Sequence, residues 1–316
     1  MLDPSHHDLL ARVASMYYEQ EMTQNKIAEA LDISRVKVYR LLKEAREQQV
    51  VRIIIDWHIK RVTSLETALV EQFDLDHALV MQATSNDPMQ LRRRIGQLGA
   101  RYLEQILTDG MTMSICFGST TYEVIAGVRP DFQANVRVVQ ATGSLSHALK
   151  EYDSSALTRQ LAHKLGGEAL YLSSPLLADT VEGAEVIRQQ STVERTLEWV
   201  RQADVALIGI GDLHPDTSGF VKADVADSQQ LRDFHNQGAI GDMAWQIFDR
   251  DGVLYPCELN DRIIGVTLEE LCEIPQTVAV AVGTQKAQAI LGAIKTGAIN
   301  VLCTDHETAQ LIIDTS

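Results

Sequence analysis

The sequence predicts an α/β protein in two parts, a small three-helix unit over residues 1–59 and a larger, doubly wound α/β domain over residues 60–316. Three observations carry that prediction. Beyond residue 77, short apolar runs alternate with helix-period segments to the end of the chain, the pattern of an open, largely parallel sheet with helices on both faces. Before residue 50, apolar positions recur at three- and four-residue spacing in three short stretches. Hydrophobic residues make up 45% of the 316 and charged residues 22%, enough for a sizeable core and too apolar for a disordered chain.

Taken in order, residues 6–19 form a helix with Leu9, Leu10, Val13, Met16 and Tyr17 on one face. Thr23 caps a second helix with Ile27, Ala28 and Leu31 as its apolar stripe, and Ser34 caps a third carrying Val38, Leu41, Leu42 and Ala45. The β-branched run Val50-Val51-Arg52-Ile53-Ile54-Ile55 reads as a strand. A helix over 63–73, with Leu65, Leu69 and Val70 on one side, leads into the larger part. There, strands are predicted at 78–81, 111–116, 136–140, 169–172, 205–210, 277–282 and 299–303. Helices are predicted at 89–107, 120–127, 155–164, 191–202, 284–294 and 305–313. The polar segment 211–236 reads as a long loop, a length that usually carries function. No internal repeat or low-complexity tract is visible.

Composition narrows the classes. No apolar run approaches the roughly 20 residues of a spanning helix. Residues 1–8, with Asp3, Asp8 and two histidines, lack the basic start and apolar stretch of a signal peptide. Cys116, Cys257, Cys272 and Cys303 are scattered without a CxxC pair, which fits reduced, mostly buried thiols and neither a disulfide framework nor a zinc site. The histidines show no ligand spacing, and His6-His7 reads as a loose terminus. The expectation is a cytoplasmic chain with no membrane partner, metal or cofactor. Aromatics at 5% argue against a surface built mainly on stacked bases.

The net charge of −15 alone would discourage a nucleic-acid partner, but the charge is uneven. Residues 1–60 hold nine basic and nine acidic side chains, so the rest of the chain carries the whole excess. Within 34–52, six basic residues stand against two acidic ones, and a local excess is what a phosphate-contacting surface needs.

Residues 24–43 match a helix-turn-helix. Ile27, Leu31, Ile33, Val38 and Leu41 are spaced to pack two short helices, Ala28 is small where they cross, and Asp32 sits in a turn that needs a left-handed backbone. The second helix of the pair then exposes a basic face. Gln24, Ser34, Arg35, Lys37, Tyr39, Arg40 and Lys43 are the residues expected to meet double-stranded DNA, with the long donors of the N-terminal half reaching base edges and the others phosphates. The following β-branched strand makes this a winged variant. The plain alternative is a three-helix bundle whose basic face is merely solvated; the agreement of spacing, cap, charge and following strand favours DNA.

In the larger part, several strands end in small, hydroxyl-rich loops: Gly118-Ser119-Thr120-Thr121, Ala141-Thr142-Gly143-Ser144, Gly209-Ile210-Gly211, and Gly283-Thr284 with Lys286 two residues on. In an open α/β sheet such loops gather at the carboxyl edge, where ligands bind. Helix-start N–H groups, hydroxyls and one Lys suit a phosphate or polyol, and Asp242, flanked by Gly241, can accept from sugar hydroxyls. For any one loop the alternative is plain turn chemistry. Gly209-x-Gly211 followed by His214 is not a dinucleotide fingerprint. Arg92-Arg93-Arg94 reads as a solvated helix face in preference to a subunit or ligand contact.

The chain resembles the SorC-type regulators of bacterial sugar operons. The resemblance rests on Tyr17-Tyr18, Met22-Thr23-Gln24, Ile27-Ala28, Ile33-Ser34-Arg35 and Tyr39-Arg40-Leu41-Leu42-Lys43-Glu44-Ala45-Arg46 in the first part. In the second it rests on the segments 204–211, Gly238-Ala239-Ile240-Gly241-Asp242, 283–290 and 299–305. Gln49 departs from it, standing where such proteins more often place Gly before the wing strand. The resemblance implies a winged helix-turn-helix DNA-binding domain and an effector and oligomerisation domain with the sugar-isomerase and glucosamine-phosphate-deaminase fold, its activity lost, that binds a phosphorylated sugar. It implies that Gly118, Ser119, Thr120 and Thr121 form the phosphate-side loop and that Asp242 and Lys286 meet the ligand's hydroxyl or phosphate end. Thr142, Gly143, Gly209, Gly211 and Gly283 complete the expected effector set. The expected partners are operator DNA, a sugar-phosphate effector and copies of the chain itself, as a homotetramer. Two other readings stand beside it: a sugar-phosphate isomerase or deaminase with a fused DNA-binding head, working through an acid/base pair near Asp242, and a non-DNA assembly module, which leaves the basic segment unexplained.

Overall fold

A computed structural model describes residues 4–48, 50–51, 58–85, 87–145 and 153–316. Its internal contacts divide the chain into two compact units, Met1–Asp56 and Trp57–Ser316.

The first unit contains α1 (Pro4–Tyr18), α2 (Gln24–Ala30) and α3 (Arg35–Glu47). Both expected caps form: Thr23 Oγ1 accepts from the Lys26 N–H at 3.4 Å and Ser34 Oγ from the Lys37 N–H at 3.2 Å. Asp32 turns the chain between α2 and α3 with φ 51°, the left-handed conformation that Asp tolerates better than branched residues. Leu10, Val13, Ile27, Val38, Leu41, Leu42 and Ala45 close the core, with Val50 and Val51 packed against it. The rest of the expected wing strand, residues 52–55, and Gln49 lie outside the described residues.

The second unit runs α4 (Thr63–Phe73), β1 (His77–Met81), α5 (Pro88–Ile106), β2 (Thr112–Ile115), α6 (Ser119–Gly127), β3 (Arg137–Gln140), α7 (Ser154–Leu165) and β4 (Ala169–Leu170). It continues through α8 (Val181–Arg188), α9 (Ser191–Arg201), β5 (Val205–Asp212), α10 (Gly219–Lys222), α11 (Ser228–Asn236), β6 (Ala239–Met243), β7 (Gln246–Asp249), α12 (Glu258–Arg262) and α13 (Leu268–Cys272). It closes with β8 (Gln276–Val280), a single 3-10 turn (Thr284–Lys286), α14 (Ala287–Lys295), β9 (Val301–Asp305) and α15 (His306–Thr315).

Seven strands pair in parallel in the order β1-β9-β8-β5-β2-β3-β4. Their residues alternate between two cores: Val205 and Leu207 of β5 belong to one, Ala206 and Ile208 to the other, and β1, β8 and β9 divide the same way. Both faces are therefore covered, as an all-parallel sheet requires. Helices α5, α6 and α7 pack on one face, while α4, α14 and α15 pack on the other. From β2 the chain steps outward to β3 and β4; from β5 it steps the opposite way to β8 and β9. The reversal leaves a crevice at the carboxyl ends of β2 and β5, the switch point where ligands bind in such sheets.

Two expectations change. The segment 211–236 is not a continuous loop, since α10 and α11 lie within it and Phe220 and Leu231 are fully buried. The antiparallel hairpin β6–β7, joined to β5 through β6, was not foreseen, because Gly238 and Gly241 interrupt its short alternation. Among the cysteines, Cys116 and Cys303 are buried, Cys257 is half-buried and Cys272 is exposed. Among the described residues no helix is long and apolar enough to cross a membrane.

Candidate functional site

A cavity of about 300 Å³ occupies the switch-point crevice. Gly118, Ser119 and Thr120 open α6 at its lining, and Arg92 from α5 and Lys222 from α10 line the same space. The first turn of a helix carries N–H groups without intrahelical partners, so this helix start attracts an anion.

The same cavity also holds two carboxyl groups, one of them under-satisfied. Asp212 closes β5; its Oδ1 accepts from the His214 N–H at 3.0 Å and from the Thr217 hydroxyl, while its buried Oδ2 has no partner among the described residues. Asp242, on β6, stands opposite Gly211 in the antiparallel β5–β6 pair. A Cβ added to Gly211 would lie 1.9 Å from Asp242 Oδ1, so only glycine lets that carboxyl settle against β5. Lys286 donates from Nζ to the Ile210 carbonyl at 2.6 Å. Burial pushes the Asp242 carboxyl up to about 7; the Lys286 charge opposes this and Asp212 adds to it. Burial pulls Lys286 below its ordinary value, against the pull of Asp212 and Asp242. The Cys116 thiol, on the cavity wall, is pushed up to about 12 by burial, which keeps it protonated and a poor nucleophile. The cavity thus offers helix-start N–H groups, cations and carboxylate acceptors for hydroxyls within one lining, with Lys222 and Asp212 both bonded to Thr217. Trp245, Phe117 and Ala244 supply an apolar wall.

Of the residues singled out from sequence, Gly118, Ser119, Thr120, Gly209, Gly211, Asp242 and Lys286 share this cavity. Four do not line it. Thr121 is buried and donates from Oγ1 to the Gly118 carbonyl at 3.0 Å, which shapes the loop. Thr142 is buried in an antiparallel bridge with Gly265. Gly143 donates its N–H to the Ile264 carbonyl, and a Cβ there would meet the Pro175 oxygen at 2.1 Å, so it serves backbone packing. Gly283 donates its N–H to Asp305 Oδ2 at 2.9 Å and Thr308 Oγ1 at 3.1 Å. Arg92, read from sequence as a solvated face, lines the cavity instead, because α5 packs closely on α6. Asp212, Thr217, Lys222 and Trp245 were not singled out; Asp212 directly follows Gly211, but nothing local marks the others.

In the first unit, Arg35, Lys37, Tyr39, Arg40 and Lys43 are all exposed on α3, opposite its buried Val38, Leu41, Leu42 and Ala45. Gln24 and Arg35 line one shallow groove with Tyr17. Ser34 spends its hydroxyl on the cap. Lys43 makes a loose, exposed pair with Glu47 at 3.6 Å, of the kind worth little; Arg35, Lys37 and Arg40 make no ion pair among the described residues. Three unpaired cations on the exposed side and flanks of one helix can neutralise phosphates. No group of three or more His, Cys, Asp or Glu among the described residues could hold a metal ion.

The chain is similar to known proteins along nearly its whole length. Residues 57–314 match a family model described as "Putative sugar-binding domain". The transcriptional regulator LsrR of Klebsiella pneumoniae is 31% identical, over 97% of this chain and 93% of its own. The deoxyribonucleoside regulator of Bacillus subtilis is 28% identical, over 99% of each chain. Among solved structures, the full-length sorbitol operon regulator SorC of Klebsiella pneumoniae superposes with a TM-score of 0.73 at 27% identity, covering 98% of this chain and 99% of that one. The sugar-binding domain of a Vibrio fischeri transcriptional repressor gives 0.74 at 30% identity, covering 80% and 98%.

Proposed function

The chain belongs to the SorC-type family of sugar-binding transcriptional regulators, and from that premise we propose that its first unit holds operator DNA while its second binds a phosphorylated sugar that alters the hold. The observation that carries the effector half is the mixed lining of the switch-point cavity, which holds both anion-binding groups and acceptors for hydroxyls. The α6 N-terminus, Arg92 and Lys222 suit a phosphate, and the unpartnered Asp212 Oδ2 with Asp242 suits sugar hydroxyls. The bare basic face of α3 supports the DNA half, with Arg35, Lys37 and Arg40 as its principal donors and Gln24, Tyr39 and Lys43 around them. In this proposal residues 1–59 are the DNA-binding domain and 60–316 the effector and oligomerisation domain. The chain acts as a homo-oligomer, because one small module buries too little surface for specific binding; the resemblance to the family implies a homotetramer, and we place it in the cytoplasm.

Binding without turnover fits relatives that are named as regulators. The effector works by linkage: it binds one arrangement of the oligomer better, and that difference in affinity becomes a change at the operator. Fluorescence anisotropy on DNA from upstream of the gene, at two salt concentrations and with a panel of sugar phosphates, tests both halves. Salt-sensitive binding that one sugar phosphate shifts is the expected result. No binding above competitor DNA would remove the DNA half.

One observation favours a second reading. A carboxyl raised to about 7, as in Asp242, is suited to general acid or base work near neutrality. Isomerase and deaminase assays on the full chain separate the two, and turnover that disappears in Asp242→Asn would replace the regulator reading of this cavity with the enzyme.

A further inference from the structure

The two residues joining β6 to β7, Ala244 and Trp245, both have left-handed backbones, with φ 52° and 66°. A two-residue hairpin turn of this geometry is ordinarily built from Asn and Gly, and a bulky residue in it is an outlier. Such a conformation persists only where the surroundings over-determine it, and those places cluster at ligand sites. The surroundings here are explicit. The indole is 7% exposed, with Phe117 at 5.1 Å and Phe220 at 5.1 Å between ring centroids. Gly219 adjoins the ring, where an added Cβ would make ordinary van der Waals contact at 3.6 Å with Trp245 Cη2. The contact with Phe220 and Gly219 also supports α10, from which Lys222 lines the cavity.

We propose that Trp245 sets the size of the effector: its indole is a fixed wall that restricts the cavity to a phosphorylated single-ring or open-chain sugar and excludes a phosphorylated disaccharide. This rests on reading the cavity as a sugar-phosphate site. A space of about 300 Å³ lies at the lower limit of ligand pockets, roughly 300–1,000 Å³, which suits one monosaccharide. The wall cannot swing aside, because Phe117 and Phe220 hold the ring and the strained turn holds its backbone. Unlike the polar lining, the wall offers no charge to the ligand, so its contribution is selection by size, which removing the ring should relax without removing phosphate binding.

The test is calorimetric titration of the full chain with D-ribose 5-phosphate, D-glucose 6-phosphate and trehalose 6-phosphate, in the wild type, Trp245→Gly, Trp245→Leu and Arg92→Ala. Glycine adopts the turn without steric cost, which offsets part of the lost ring packing, and leucine retains apolar contact with Phe117 and Phe220 should the glycine variant fail to fold. In the wild type, at least one single-ring phosphate should bind ten-fold or more tightly than trehalose 6-phosphate. In Trp245→Gly that ratio should fall at least ten-fold, through a gain for the disaccharide, with Trp245→Leu intermediate. Arg92→Ala should weaken every phosphate alike. An unchanged ratio in both Trp245 variants, or a wild type that accepts trehalose 6-phosphate as well as glucose 6-phosphate, overturns the wall while leaving the sugar-phosphate reading in place. A wild type that binds none of the three overturns both.

Discussion

In the lining of the cavity, Asp242 ties the stability of the second unit to pH. Its carboxyl is raised from 3.8 to about 7 chiefly by burial, with Asp212 reinforcing and Lys286 opposing the shift. Between those values the folded chain holds a proton that the unfolded chain has released. The associated stability is complete below the unfolded value and lost as pH rises through about 7. Without ligand, the wild-type melting midpoint should therefore fall more between pH 5 and pH 8 than that of Asp242→Asn, which cannot titrate. Parallel pH profiles for the two proteins would show that Asp242 is ionised throughout. On α3, Arg40→Ala should cost about 1–3 kcal/mol of specific operator binding if the guanidinium reads a base edge, with the fold and effector response intact. An electrophoretic titration against specific and scrambled DNA distinguishes this from a phosphate contact, whose loss weakens both alike.

Caps and close approaches carry the element scale. Ser34 donates no side-chain bond to a neighbour in the helix; it accepts from the Lys37 N–H and so fixes where α3 begins. Ser34→Ala should destabilise the first unit by about 1 kcal/mol, read from chemical denaturation followed by helical circular dichroism. Unchanged stability would mean that tertiary packing alone sets the start of the helix. The glycines of the second unit separate by what a methyl group would strike. Gly211→Ala meets the Asp242 carboxyl, a side chain that can turn away, so it should disturb effector binding more than stability. Gly143→Ala meets the backbone of Pro175 and Leu176, which cannot, so it should lower the melting temperature of the second unit markedly. Differential scanning calorimetry of both variants beside effector titrations checks that contrast.

For the whole molecule, the division of charge predicts how DNA is held. A chain of net charge −15 is repelled by DNA except where its charge is locally reversed, and the basic face of α3 is such a place. Operator affinity should fall steeply with salt, with the slope reduced by about one for each phosphate-contacting cation removed. Reciprocity follows from linkage: the factor by which effector changes operator affinity must equal the factor by which operator changes effector affinity. Titrating each ligand in the presence and absence of the other measures both, and unequal factors would mean that a change of oligomeric state is coupled to binding. Sedimentation velocity at the same concentrations reads that state directly.

The class of fold, the helix-turn-helix with its caps, and the strands that end in glycine and hydroxyl loops were all legible in the chain's local patterns. These are signals within a few residues: Thr23 and Ser34 before their helices, Asp32 in the turn, Gly118 to Thr120 after β2. The sequence did not disclose β6–β7, α10 or α11, whose stability comes from contacts distant in the chain, such as Phe220 against Trp245. Nor did it tell Gly211, Thr142, Gly143 and Gly283 apart, because glycine and threonine after a strand look alike whether they face a ligand or another backbone. Only the tertiary structure decided that. Pairing of β5 with β2 and β8 placed the switch point, the crossing of α5 over α6 brought Arg92 to it, and the β6 edge laid Asp242 against Gly211. A binding cavity is made of loops from several strands, and which loops are neighbours is fixed by long-range strand order, for which no single segment carries a local signal.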